Sequence, residues 1–362
     1  MKTGIGVKGE FILKVSRKGG DIVRTIGPFD NLIVNNGLNQ MVNPEGSYLQ
    51  VCYLSNRETE VPVTQIQPVS LIQGTRTYLS HGNFRQTEEE PYYIRGRASW
   101  RFQTEWASGV PITSVGVGWY TGDWFIFNPF THESVDAQIF TFAENLIKDE
   151  FGEPAPLTLE PDDILDVEYR LFLYPNPEPV ETTLALGENF HTFRIVPSSL
   201  ESDRRWRIAN RDLETNFGYP AILFYGVRLG TTRRDSGGLV DEYMWEGDPE
   251  LPADIVTDQL SSFSYDDYSP SDEILFSENI EQYSITFEFR WGIDDANFTT
   301  GIIGGILQTG RYTQPGGIRT GSLTTGMYTF WVYTVDPPIM KENTDILDLR
   351  FNITVSRYEE EE

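Results

Sequence analysis

The sequence predicts an all-β protein built as two tandem antiparallel β-sandwich domains related by internal duplication. Alternation is the first observation behind this. Trp100, Phe102 and Trp106 share one parity, with Arg101, Gln103 and Glu105 on the other. Val167, Tyr169, Leu171 and Leu173 alternate with Glu168, Arg170 and Phe172. Ile285, Phe287, Phe289 and Trp291 do the same, as do Leu349, Phe351, Ile353 and Val355. A period of two marks strands with one face on a core and one in water, and aromatic and β-branched residues suit the inward positions. Recurrence is the second. SWRFQTEWASG, starting at Ser99, and DILDVEYRLFL, starting at Asp163, are echoed in order by SITFEFRWGID at Ser284 and DILDLRFNITV at Asp345. Trp106 and Gly116 stand apart by the same distance as Trp291 and Gly301. Such self-similarity reads as two copies of one unit. The boundary falls in the proline-stiffened YPNPEPVE, which gives domains 1–178 and 179–362.

The first unit opens with a hairpin over 9–34. Phe11, Leu13 and Val15 alternate with Glu10, Lys14 and Ser16, Arg17-Lys-Gly-Gly turns the chain, and Asp21–Ile26 returns. Asn35-Asn-Gly opens a turn, and Leu38–Val42 forms one short helical turn. Residues 48–56 are a strand with Cys52 buried as a small hydrophobe, and 57–98 are polar and turn-rich. The strand at Trp100 follows, then an aromatic hairpin over 118–130, a strand over 137–146, a loop at 148–154 and the closing strand at Asp163–Leu173. In the second unit, strands are expected at 189–196, 206–209 and 219–229, whereas 231–283 has no clear periodicity. A pair of strands joined by a Gly-rich loop spans 297–335, and Glu359–Glu362 form a solvated tail.

Two phrases of the first unit carry a resemblance. NLIVNNGLNQM, starting at Asn31, resembles the opening of many tailed-bacteriophage virion proteins. LEPDDILDVEYRLFLYP, starting at Leu159, looks like their closing strand. The resemblance implies a structural, non-enzymatic part of a virion: a tail, collar or fibre-connector protein made in the host cytoplasm. It would work as a homo-oligomer beside other virion proteins, such as tail, portal or fibre. It carries over no catalytic residues. Capsid decoration and glycan reception at a tail tip are the alternatives.

Composition narrows the function classes. The chain of 362 residues carries 54 acidic and 28 basic residues, a net charge of −26. Such a field repels nucleic acid. One cysteine excludes a disulfide framework, and His81, His132 and His191 show no ligand spacing. No cofactor or metal is expected. Asp266, Asp267, Asp272 and Glu273 are acidic enough for calcium but lack any known loop spacing. No G-x-S-x-G or H-E-x-x-H occurs, and no apolar run reaches membrane-span length, so membrane insertion is not expected.

Two stretches stand out as surfaces for a neighbouring subunit. Gly118–Phe130 crowds Trp119, Trp124 and Phe127 together with other aromatics. This is a core hairpin, an interface, because aromatics dominate interface hot spots, or a platform for stacking sugars. From Asn297 to Val335 there is no acidic residue until Asp336, and Arg311, Tyr312 and Arg319 lie in its Gly-rich loop. The two arginines are expected to meet an acidic neighbour.

Overall fold

In the computed structural model the described residues are 2–17, 20–42, 49–75, 78–86, 91, 93–103, 107–121, 138–175, 179–197, 224–232, 255–260, 268–269, 282–291, 293, 301–310 and 327–359. Among them the chain forms β1 (Lys2–Arg17), β2 (Ile22–Asp30), β3 (Leu32–Ile33), α1 (Asn35–Val42), β4 (Val51–Ser55), β5 (Leu71–Thr75) and β6 (Tyr78–Gln86). It continues with β7 (Tyr93–Gln103), β8 (Ser114–Thr121), β9 (Gln138–Leu146), β10 (Asp163–Pro175), β11 (Val180–Leu186) and β12 (Asn189–Pro197). Then come β13 (Phe224–Thr232), β14 (Ile255–Leu260), β15 (Tyr268–Ser269), β16 (Gln282–Trp291), β17 (Ile302–Gly310), β18 (Met327–Ile339) and β19 (Leu347–Arg357). The protein is all-β and sandwich-like.

Three sheets result. The largest has eight strands in the order β15-β16-β19-β1-β10-β7-β6, with β2 also on β1. A five-stranded sheet runs β3-β9-β8-β4-β5, and a six-stranded sheet runs β11-β12-β18-β17-β13-β14. The pairing orders β3-β9-β8-β4-β5 and β12-β18-β17-β13-β14 correspond strand for strand, as do β10-β7-β6 and β19-β16-β15.

The inward positions follow the expected parity on most of these strands, but Leu173 is only partly buried, and Glu168 and Phe172, expected in water, are buried. Trp100, Phe102, Val167, Tyr169, Leu171, Leu349, Phe351 and Val355 are buried. Phe11, Leu13 and Val15 of β1 join Leu54, Val115, Val117 and Phe142 of the five-stranded sheet in one continuous core. That core also takes in Phe193, Tyr333 and Phe351, and the Tyr333 and Phe351 ring centroids lie 5.7 Å apart.

β1 begins at Lys2, ahead of the hairpin expected over 9–34, and its second edge is divided. One edge pairs antiparallel with β10 from Ile5↔Pro175 to Arg17↔Asp163. The other pairs in parallel with β19 from Lys2↔Asn352 to Val7↔Arg357, then with β2 from Glu10↔Asp30 to Ser16↔Ile22. The join with β19 is reinforced by side chains. Arg357 Nε donates to the Ile33 carbonyl at 2.7 Å and its Nη2 to Asn35 Oδ1 at 2.7 Å. Tyr358 stacks on Tyr174 with centroids 3.6 Å apart.

Other differences from the sequence reading have local causes. The helix is not confined to 38–42: it starts at Asn35 because Val34 and Asn35 are already fixed, their N–H groups donating to the Phe142 and Val63 carbonyls. The stretch 57–98, expected as turns, contains β5 and β6, whose backbone is held by β4 and β7 whatever their polarity. β11 follows the proline-rich segment directly and pairs with β12. β14 and β15 fall in the stretch expected to lack periodicity. The strand expected at 206–209 lies outside the described residues.

Replacing Arg357 with Ala removes two charge-assisted hydrogen bonds at the β1–β19 join. The expected loss is about 2–4 kcal/mol in chemical denaturation, with Arg357→Lys recovering part of it.

Candidate functional site

Of the residues expected at a subunit interface, Trp119 is described. It lies on β8 opposite Phe140 of β9, the rings stacked at 5.6 Å and 13°. It is partly buried against the core. Trp124, Phe127, Arg311, Tyr312 and Arg319 lie outside the described residues, as do Asp266, Asp267, Asp272 and Glu273. Cys52 is fully buried, as expected. Among the described residues no group of His, Cys, Asp or Glu is arranged to hold a metal ion, and no helix is long and apolar enough to cross a membrane.

The structure assembles two polar constellations that the sequence did not announce. The first is a buried cluster on the face of the five-stranded sheet away from the main core. Glu144 of β9 and Tyr53 of β4 both stand opposite Gly116 of β8, one from each side. A Cβ on Gly116 would overlap the Tyr53 ring. The glycine therefore lets the tyrosine reach across a strand to the carboxylate. The Tyr53 hydroxyl lies 2.9 Å from Glu144 Oε2 and 2.9 Å from Thr141 Oγ1. With one proton, it donates to the carboxylate and accepts from Thr141.

Glu144 is fully buried and surrounded by donors. Oε1 accepts from Ser114 Oγ at 2.7 Å, Ser55 Oγ at 3.2 Å and Arg57 Nη1 at 3.3 Å. Oε2 accepts from the Gln65 side-chain amide as well as from Tyr53. Arg57 is spent in turn on Gln65 Oε1 at 2.6 Å and on the Thr59 and Glu60 carbonyls at 2.7 and 2.9 Å. A buried carboxylate is tolerated only with such saturation. Arg57 and Gln65 belong to the segment 56–70, so the cluster straps that segment over the sheet. The Thr141 N–H donating to the Ile66 carbonyl adds a further tie. With every lone pair committed and the carboxylate sealed, the cluster acts as a clamp.

The second constellation is on the outer face of β1, β10 and β7. Registration sets four rows: Lys8–Phe172–Arg95, Glu10–Arg170–Arg97, Ile12–Glu168–Ser99 and Lys14–Asp166–Arg101. Arg101 grips Asp166 with both nitrogens at 2.7 Å, and this hydrogen bond raises the Arg101 guanidinium above its ordinary value. Arg170 Nε donates to Glu168 Oε1 at 2.7 Å, and its Nη1 is 4.0 Å from Glu10 Oε2. Lys14 lies 3.9 Å from Glu168. Burial pushes the Glu10 carboxyl above its usual range.

Compared with known proteins, the chain matches no family model, no curated sequence and no solved structure.

Glu144→Ala leaves Arg57 as a buried cation without its carboxylate. The expected cost is about 3–5 kcal/mol. Limited trypsin digestion is expected to open a new cut at Arg57, with Glu144→Gln intermediate.

Burial pushes the Cys52 thiol and the Tyr53, Tyr169 and Tyr333 hydroxyls well above their ordinary values, Tyr53 with the Glu144 charge adding to it. The unfolded chain ionises these groups near pH 8.5 for cysteine and about 10 for tyrosine. Their contribution is therefore whole below those values and is lost as pH rises above them, each group by about 1.4 kcal/mol per unit. Urea midpoints are expected to be flat from roughly pH 7 to 8 and to fall from about 9 upward. Cys52→Ala should remove the earliest part of that slope.

Proposed function

We propose that this chain is a non-enzymatic structural component of a tailed-phage virion: an oligomeric tail, collar or fibre-connector protein. It is made in the host cytoplasm and carried in the particle. The observation that carries a structural role is the repeated strand order joined through one strand. The pairing β3-β9-β8-β4-β5 recurs as β12-β18-β17-β13-β14, and β1 is neighbour to both closing strands, β10 and β19. A duplicated sandwich fused through a common sheet gives one rigid subunit with two similar bodies. That is useful for tiling a ring or tube and has no bearing on turnover.

The phage assignment rests on the resemblance of NLIVNNGLNQM and LEPDDILDVEYRLFLYP. In this fold the two phrases meet. Asn31, which opens the first, and Tyr169, in the second, converge over Gly9 of β1, where a Cβ would overlap both. The glycine keeps β1 close beneath that junction.

Mass photometry of the purified chain is expected to give a symmetric oligomer. Antibody labelling of purified particles is expected to place it at the tail or the head–tail joint. A monomer that binds host glycan would replace the proposal with the receptor reading. Label spread over the head would replace it with decoration, and turnover of a polysaccharide would end the non-enzymatic reading.

A further inference from the structure

The fold gathers basic residues where the sequence scatters them. On the outer face of β1, β10 and β7 stand Lys8, Lys14, Arg95, Arg97, Arg101 and Arg170, against Glu10, Asp166 and Glu168. That is six cations to three anions, in a chain whose net charge is −26. The three carboxylates are already engaged by Arg101, Arg170 and Lys14. Lys8 is held at 3.4 Å by Asp30 of β2, a fourth anion that extends the Glu10–Arg170–Arg97 row at the edge of the face. The face is open chiefly at its Lys14–Asp166–Arg101 row, where the side chains of Lys14 and Arg101 are 43% and 44% exposed; Ile12, Ser99, Glu168 and Phe172 lie buried beneath the longer charged side chains. Aromatic side chains border it, with Tyr93 edge-on to Phe172 at 5.1 Å. Arg95 lies 6.0 Å over the Phe172 ring. Burial, and after it the neighbouring Arg170 charge, pulls the Arg95 guanidinium down from its ordinary value.

We infer that this face is an assembly surface that receives an acidic surface of a second copy of the same chain. The inference rests on the oligomeric reading above and gives it a location. Charge complementarity selects the occupant. Outside the face the chain holds nearly all of its 54 acidic residues, so an acidic counterpart is supplied by every copy. Arginine and aromatic side chains are the residues that interface cores favour. Nucleic acid fits less well, because Glu10, Asp166 and Glu168 interrupt the rows and would oppose phosphates. The overall repulsion between two acidic chains is screened beyond about 8 Å at physiological salt, so the charges in direct contact decide.

The symmetry follows from the sign of the charge. A basic face cannot pair with itself, so the contact is heterologous, basic face to acidic face. Heterologous contacts make closed rings of more than two copies, or open filaments, rather than two-fold dimers.

The test uses the full chain carrying Arg97→Glu and Lys14→Glu, with Arg24→Glu as control. Arg24 is exposed on β2 opposite Val15, off the rows. Circular dichroism and thermal melts establish folding; if the double reversal does not fold, Arg97→Gln with Lys14→Gln takes its place. Sedimentation is expected to show a wild-type ring or filament that dissociates as salt is raised. Each reversal should weaken association about tenfold, and the control should assemble as wild type does. A folded reversal variant that assembles normally overturns this surface and leaves the oligomeric reading standing. A wild-type chain that stays monomeric at every concentration overturns both. A two-fold dimer indifferent to salt overturns the heterologous contact.

Discussion

The backbone hydrogen bonds of β1 are the constraint on which the rest of the fold depends. A central strand must pair on both edges, since buried N–H and C=O groups without partners are costly. β10 satisfies one edge along its length. The other edge has no single partner long enough, so β19 takes the first residues and β2 the rest. The chain's first strand thereby becomes the joint between strands drawn from opposite ends of the sequence. Thr354 Oγ1 donates to the Thr3 carbonyl across a separation of 351 residues. Closing so long a loop costs entropy before any contact repays it. The β1–β19 join therefore stands on local reinforcement: Arg357 on Ile33 and Asn35, and Tyr358 on Tyr174.

The Glu144 cluster solves a different problem. The segment from Val61 to Thr75 has no charged residue, and several of its apolar side chains, among them Ile66 and Val69, face outward. Apolar contact is non-directional, so it would hold such a segment near the sheet without fixing its register. Directional bonds from Arg57 and Gln65 to one carboxylate fix it. Replacing the cluster with hydrophobic residues could keep the stability and lose the single position, the role for which buried ion pairs are best retained.

The sequence made the strand faces legible and left the strand partners obscure. Alternation identified Trp100, Tyr169 and Phe351 as inward because side-chain direction is a local property with period two. It also detected the recurrence of the DILD phrases. It could not tell that β10 and β19 share β1 as a neighbour, because pairing is set by contacts across the whole chain. β5 and β6 were hidden for the same reason: LIQGT and YLSHGNFRQ have weak strand composition, and their partners β4 and β7 hold them. The clamp was equally invisible. Nothing in FAENL sets Glu144 apart until Gly116 brings Tyr53 beside it. The helix was visible in part, its first residues being fixed by carbonyls at Val63 and Phe142.

The basic rows show how one set of side chains can serve both the fold and its surface. Arg101–Asp166 and Arg170–Glu168 are first of all sheet contacts: the former joins β7 to β10 as a cross-strand pair, and the latter lies along β10. Their geometry is settled before any neighbour arrives. A long arginine that is loose in water loses rotamer freedom when it binds, at about 0.5–1.5 kcal/mol per side chain. An arginine already gripped at two nitrogens, as Arg101 is, has given up that freedom during folding. The surplus charge is therefore displayed on a preorganised lattice whose rows are fixed by the same β1 register that closes the sheet. Slipping β1 by one residue against β10 would turn Phe11, Leu13 and Val15 outward and bury Lys14 and Glu10. The core thus enforces the register, and the register places the charges.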